Sequence, residues 1–328
     1  MRPLKDHRVC VTGGAGFLGR VVCARLRDQA GVDPANLFVP RSREFDLTSA
    51  EAVARMFDEA RPDVVIHLAA EVGGIGANAK RPGRFFYANL AMGLNLIEEA
   101  RRRGVYKFVQ VGTVCAYPKF CRVPFSEADL WSGFPEETNA PYGVAKRALA
   151  VMLDAYRREY GFPGVYLLPA NLYGPGDNFD WETSHVIPAL IRKFCTAVDR
   201  GEDRVTCWGT GQAGREFLYV DDAADAIVLA AEMNNDDAFA LNLGTGVEIT
   251  IAELAATIAR LGSFHGRIEW DASRPDGQPR RRLDTTRAAD HLGWRAKVLL
   301  EEGLRRTIDW WRSQAGDRSG QPRHAVRG

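Results

Sequence analysis

Two groups of residues in this chain have the type and spacing to do chemistry. In Tyr142-Gly143-Val144-Ala145-Lys146 a phenol and an ammonium stand four residues apart, which on a helix is one turn along the same face. Far upstream, Thr12-Gly13-Gly14-Ala15-Gly16-Phe17-Leu18-Gly19 follows a β-branched run and opens a helical pattern. There Gly13 permits a tight turn, Gly16 lets backbone amides approach a pyrophosphate, and Gly19 lets helix and strand pack closely. Each motif alone is common. In this order and context they point to a dinucleotide bound for hydride transfer. Tyr142 then gives a proton to a carbonyl oxygen as hydride arrives, or takes one away in reverse. A phenol ordinarily titrates at about 10. Lys146, together with an oxidised nicotinamide, is expected to pull that value toward working pH.

The choice of dinucleotide is read at Val39-Pro40-Arg41-Ser42-Arg43, where a second strand ends. A carboxylate there would accept hydrogen bonds from the ribose of NAD and repel the extra phosphate of NADP. A guanidinium instead grips that phosphate in a bidentate fork, so Arg41 and Arg43 favour NADP(H). Asp46 and Leu47 follow, placed to flank the adenine.

These residues need a scaffold, and the pattern supplies one. Residues 8–12, 36–39, 63–68 and 107–111 read as strands; 16–28, 49–60, 84–103 and 141–160 read as helices, with Ser49 near an N-cap. The strands are apolar without polar alternation, the mark of a parallel sheet buried between helix layers. His67 lies inside one of them and is expected to be structural, satisfied by a local hydrogen bond. Residues 174–181 and 208–214 look like functional loops, and a further strand-helix pattern lies near 241–261. From about 313 to 328 the chain is rich in Gly, Arg, Ser and Gln and is expected to be a disordered tail.

At 328 residues and 46% hydrophobic content the chain can bury the core of one large domain or two closely associated ones. A net charge of +1 offers nothing to a nucleic acid. The six cysteines are scattered, with no CxxC pair and no histidine grouping, so neither a disulfide framework nor a metal site is expected. Free thiols in a reducing cytoplasm are the expectation for five of them, Cys115 standing apart. No apolar run approaches the roughly 20 residues of a spanning helix. A phosphate loop starting at Thr12 must stay attached to its strand, so a removable leader is not expected either.

With Asp63-Val64-Val65-Ile66-His67-Leu68-Ala69-Ala70, Asn171-Leu172-Tyr173-Gly174-Pro175 and Arg215-Glu216-Phe217-Leu218-Tyr219-Val220-Asp221-Asp222 in order, the chain resembles the extended short-chain dehydrogenase/reductase superfamily. Within it, from residue 8 to about 312, the chain resembles the GDP-L-fucose synthase family. That resemblance rests on Val72-Gly73-Gly74-Ile75-Gly76-Ala77-Asn78, Cys115-Ala116-Tyr117-Pro118-Lys119, Asp177-Asn178-Phe179, Ser184-His185-Val186-Ile187-Pro188-Ala189-Leu190 and Pro275-Asp276-Gly277-Gln278-Pro279-Arg280.

The resemblance implies an α/β fold: a Rossmann doubly wound parallel sheet with a smaller interleaved α/β substrate-binding domain. Residues 1–171 and about 217–245 would bind NADP; residues 172–216 and 246–312 would bind substrate. It implies NADPH-dependent 3,5-epimerisation and 4-keto reduction of a nucleotide 4-keto-6-deoxy sugar, GDP-linked. Tyr142, Lys146, Thr113, Cys115 and His185 would be catalytic, with Thr113 standing where the family has a serine and Val114 where a second serine is common. Cofactor contacts would come from Gly13, Gly16, Phe17, Leu18, Gly19, Arg41, Arg43, Asp46, Leu47, Leu68, Ala69, Ala70 and Asn171, besides Tyr142 and Lys146. Substrate contacts would come from Asn171, His185, Lys193, Trp208, Arg215 and Arg280, the two arginines suiting diphosphate oxygens.

Cys115 and His185 fall on the family's epimerising pair, and the chemistry asks for one. A carbon next to the 4-keto group is acidified, a thiolate or imidazole can deprotonate it, and a second group must return a proton to the opposite face. A 4,6-dehydratase would carry an Asp-Glu pair where Val114-Cys115 stand. A simple 4-epimerase would have no use for Cys115 and His185. A GDP-mannose 3,5-epimerase-like enzyme or another nucleotide-sugar reductase is the nearer rival. A non-catalytic NADP sensor would typically lose Tyr142 and Lys146. A homodimer through the helices at 84–103 and 141–160 is expected, since Leu149, Met152, Leu153 and Tyr156 spread over more than one face.

Overall fold

The computed structural model describes residues 3–234 and 239–318. Strands β1 (Val9–Thr12), β2 (Leu37–Phe38), β3 (Val64–His67), β4 (Lys107–Val111) and β5 (Gly164–Pro169) alternate with helices α1 (Phe17–Asp28), α2 (Ala50–Ala60), α3 (Ile75–Lys80), α4 (Pro82–Arg102) and α5 (Ala140–Tyr160). Beyond them lie β6 (Asn171–Tyr173), α6 (Val186–Arg200), β7 (Arg204–Trp208), β8 (Gly214–Arg215), β9 (Phe217–Tyr219) and α7 (Val220–Glu232). The chain continues through β10 (Ala240–Leu243), β11 (Ile249–Thr250), α8 (Ile251–Leu261), β12 (Arg267–Asp271), α9 (Thr286–Leu292) and α10 (Leu300–Arg318).

Six strands form one sheet in the order β10-β5-β4-β3-β1-β2, every pairing parallel. The residues of β1, β3, β4 and β5 are all buried, as unalternating apolar strands must be between two helix layers. The expected doubly wound parallel sheet is therefore the observed one. A second apolar cluster, including Tyr173, Ile187, Phe194, Val205, Phe217, Leu254 and Leu304, is built almost wholly from elements after β5. Three two-stranded pairings, β6 with β9, β7 with β12 and β8 with β11, frame it. Among the described residues no helix is long and apolar enough to cross a membrane.

Local chemistry explains where elements begin. Ser49 caps α2, its hydroxyl accepting from the Ala52 amide, and Thr250 with Glu253 forms a reciprocal cap at α8. Pro82 opens α4 at a first-turn position where a missing N–H costs nothing, so α4 starts two residues before residue 84. His67 is buried in β3, its Nδ1 2.7 Å from the Thr12 hydroxyl on the paired strand.

The expected tail starting near 313 is corrected: α10 continues to Arg318. Just before that stretch, Trp311 stacks on Phe179 with ring centroids 4.5 Å apart and Arg312 donates to the Gly262 carbonyl. Residues 319–328 of that expected tail lie outside the described residues.

Candidate active site

Where α5 meets the chain after β4, the sequence makes close approach possible. Thr113 caps a single 3-10 turn, Val114–Ala116, its hydroxyl oxygen accepting from the Cys115 amide at 3.2 Å. Helix α5 lies directly on this turn. A Cβ at Gly143 would come within 2.5 Å of the Cys115 carbonyl oxygen, so only glycine lets Tyr142 reach Thr113. Thr113 stands close enough to the Tyr142 phenol to favour its ionised form.

Lys146 is buried one turn further, its Nζ donating to the Val111 carbonyl at 3.1 Å and standing 5.9 Å from the centre of the Tyr142 ring. Burial lowers the Lys146 ammonium to about 8. Burial also pushes the Tyr142 phenol up, helped by Cys115 and opposed by Thr113. The expected pull of Lys146 and an oxidised nicotinamide on this phenol thus works against burial, which raises it. A phenol held in its protonated form is the proton donor that a carbonyl reduction needs.

Cys115 is half-buried on the same turn, and its sulfur receives a hydrogen bond from Arg281 Nη1 at 3.3 Å. His185 caps the start of α6. The glycine loop at 73–74 braces the approach to it, with the Gly74 amide bonded to the Thr183 carbonyl. Burial and then Arg281 lower the His185 imidazole. Arg281 thus touches one member of the expected epimerising pair and lies within electrostatic reach of the other. The structure therefore brings Thr113, Cys115, Tyr142 and Lys146 together at the turn after β4, with His185 within electrostatic reach of the arginine that touches Cys115.

The expected diphosphate arginines are placed differently. Arg215 is buried on β8, but its guanidinium donates to the backbone carbonyls of Gly214, Asp276 and Gln278. Burial and the neighbouring Arg281 lower it to about 9. Arg280 is exposed and forks onto Glu248. Lys193 donates to the Thr206 carbonyl at 2.7 Å. Trp208 is exposed, with the Arg274 guanidinium 4.9 Å from its ring centre. Asn171 donates to the Glu216 carbonyl. The sequence assigned no role to Arg281 or Gln278, both of which the structure buries while Arg280 stays exposed.

The glycine loop follows β1 at the same carboxyl edge of the parallel sheet as the turn after β4, and its backbone bears on the fit to a dinucleotide. Gly13 has φ +71, and a Cβ there would sit 2.7 Å from the Ala69 amide. A Cβ at Gly19 would overlap the Gly13 carbonyl, so α1 is drawn against the β1 turn. Gly16 caps α1 with no side chain bonded to the first-turn amides, leaving those of Phe17 and Leu18 for an anion. Arg41 is exposed beyond β2, and Arg43 pairs with Glu44 at 3.1 Å in a strongly exposed contact of little energetic weight. Asp46 is spoken for by Thr48, while Leu47 packs into the core and Leu68, Ala69 and Ala70 line the end of β3.

Comparison with known proteins is consistent with this arrangement. Residues 9–244 match the model of the NAD dependent epimerase/dehydratase family. GDP-L-fucose synthase 1 of Arabidopsis thaliana is 40% identical over 307 residues, covering 94% of each chain. A GDP-6-OMe-4-keto-L-xylo-heptose reductase from C. jejuni superposes with a TM-score of 0.87 at 28% identity, covering 96% of this chain and 99% of that one. A GDP-L-fucose synthetase from Naegleria fowleri bound to NADP superposes with a TM-score of 0.83 at 27% identity, covering 94% of both.

Proposed function

We propose, for a chain that belongs to the NAD dependent epimerase/dehydratase family and within it to the GDP-L-fucose synthases, that it converts GDP-4-keto-6-deoxy-D-mannose to GDP-L-fucose. The chain is an NADP(H)-dependent epimerase/reductase of a GDP-sugar. The observation that carries the finer reading is the single turn holding Thr113 and Cys115 against Tyr142. Reduction and inversion both act around one carbonyl, and a turn that holds a phenol and a thiol close together suits both steps.

Cys115, as thiolate, removes a proton from carbon 3 or 5, and the C–H electron pair moves into an enolate at the 4-keto oxygen. His185, once protonated, returns a proton to the opposite face and leaves the carbon inverted. Bound NADPH supplies the hydride for the final reduction. Thr113 and Tyr142 grip the 4-oxygen, Tyr142 gives it the phenolic proton, and Lys146 steadies the phenolate that remains. Gly13, Gly16 and Gly19 with the α1 amides would hold the pyrophosphate, and Arg41 with Arg43 the extra phosphate, so NADPH is expected to outperform NADH. We read the sheet as the cofactor half and the second cluster as the substrate half. The free thiols fit a reducing cytoplasm.

A second reading, plain 4-keto reduction of another GDP-sugar, is favoured by Val114 and by the likeness to the heptose reductase. Heavy water separates the two. With GDP-4-keto-6-deoxy-D-mannose the unaltered enzyme is expected to place deuterium on carbons 3 and 5, and Cys115→Ala to abolish that exchange and yield an uninverted, reduced sugar more slowly. No deuterium uptake by the unaltered enzyme would assign it to the plain reductases.

A further inference from the structure

Arg281 is buried, at 6% exposure, yet among the described residues no carboxylate lies within ion-pair distance of it. A guanidinium taken out of water without a counter-charge is costly, so its charge must serve something in the site. Four hydrogen bonds say what. Nη1 donates to the Cys115 sulfur at 3.3 Å, and Nε donates to Gln278 Oε1 at 2.8 Å. Gln278 is itself fully buried, and its amide nitrogen donates to the carbonyls of Pro118 and Lys119 at 2.7 and 3.2 Å. The segment that carries Cys115 is therefore tied at both ends to the same arginine-glutamine unit.

We propose that Arg281 is a catalytic residue of the inversion step, its guanidinium, clamped by Gln278, remaining hydrogen-bonded to the Cys115 sulfur while that sulfur takes the sugar proton. This rests on the reading of Cys115 as the base. Arg281 makes and breaks no covalent bond. The proton passes from carbon to sulfur, the C–H pair becomes the carbon-carbon double bond of an enolate, and the carbonyl pair moves to oxygen. Protonated His185 then re-protonates the carbon, leaving a thiol and a neutral imidazole that exchange protons with solvent before the next inversion. Through this sequence the negative charge lies first on sulfur and then on the enolate. The charged and titratable groups facing the sulfur are Arg281, Arg215 and Tyr142, and Arg281 also faces His185. Arg215 is spent on backbone carbonyls, so Arg281 is the cation with a donor aimed at the reacting atom.

The competing use of Arg281 is to grip the substrate diphosphate, and three measurements on the full chain tell the two apart. Arg281→Met and Arg281→Gln remove the charge, and Arg281→Lys keeps it. Deuterium uptake into GDP-4-keto-6-deoxy-D-mannose without NADPH reads the proton transfer. Iodoacetamide alkylation of Cys115 at neutral pH, mapped by mass spectrometry, reads the sulfur, and calorimetry with GDP reads the diphosphate. Both neutral variants are expected to lose about tenfold or more in exchange and alkylation, Arg281→Lys to recover part of both, and GDP affinity to change less than about threefold. Arg281→Gln can still reach Gln278, so it carries the test if Arg281→Met fails to fold. Exchange and alkylation within about twofold of the unaltered enzyme would overturn the proposal, as would weakened GDP binding with alkylation unchanged. Cys115→Ala in parallel keeps the two failures distinct. If it retains exchange the base assignment is wrong; if it loses exchange while the arginine variants keep theirs, only the role of Arg281 is.

Discussion

Burial does opposite things to the two members of the Tyr142–Lys146 pair. It keeps the phenol protonated and makes the ammonium easier to discharge, to about 8. The first effect suits proton donation, and the second limits it. When Tyr142 gives up its proton, the phenolate left behind depends on Lys146 being charged. The sign follows directly: below about 8 the ammonium is present, and above it the charge is lost as pH rises. Reduction, followed as kcat/KM for the keto sugar, is therefore expected to fall on an alkaline limb starting near that value, by roughly tenfold per pH unit. Lys146→Met should flatten the limb and lower the plateau. Tyr142→Phe, which keeps ring volume, should cost roughly 10²–10⁴ in turnover. A profile level to strongly alkaline pH would show that Lys146 is not the group that matters.

At the scale of elements, what matters is how closely α5 lies on the turn after β4. Gly143 sets that distance, because a Cβ would meet the Cys115 backbone. In Gly143→Ala either α5 or the turn must move, by an amount that separates Tyr142 from Thr113. Displacements of about an ångström at a reacting centre cost on the order of 10²-fold. Turnover of this variant is expected to drop about that far, with NADPH binding, measured by fluorescence, nearly kept. Equal losses in both would mean that the helix as a whole had come away. The sequence made α5, β1 and β4 legible, because their apolar periodicity and their glycines speak for themselves. It did not reveal α3 or the two-residue strands β8 and β11, which are too short to carry a period. The continuation of α10 past residue 312 was hidden for another reason. Its polar composition reads as a tail, whereas the turn before it packs through Trp311 and Arg312 on distant elements. The run Arg280-Arg281-Arg282 shows the same limit within the site. Three identical charges give no clue to direction, and an extended backbone turns one outward to Glu248 and the next inward to Cys115.

For the whole molecule the open matter is the accessible apolar surface of α4 and α5. Leu149 and Leu153, which the sequence offered as a second face, are buried within the subunit, Leu149 against Gly93. The accessible apolar residues are others. On α4 they are Tyr87, Leu90, Ala91 and Leu94, spaced as one helical stripe, and on α5 Val144, Ala148, Val151, Met152 and Ala155, spaced as another. The two helices pack side by side, so both stripes belong to one surface, with Tyr87, Leu94 and Val151 its most exposed members. A two-fold axis through such a surface pairs each patch with its own copy and makes a four-helix contact. We therefore propose a homodimer and expect light scattering to give the mass of two chains at micromolar concentration. Leu94→Glu with Val151→Glu should yield monomers, since two-fold symmetry would bury four unpaired carboxylates. Both side chains are exposed in the single subunit, so these changes should cost the subunit fold little. NADPH binding by the resulting monomer would confirm that the fold survived. An unaltered chain that scatters as a monomer, or a double variant that remains dimeric, would place the contact elsewhere and leave the stripes as ordinary solvent-facing surface.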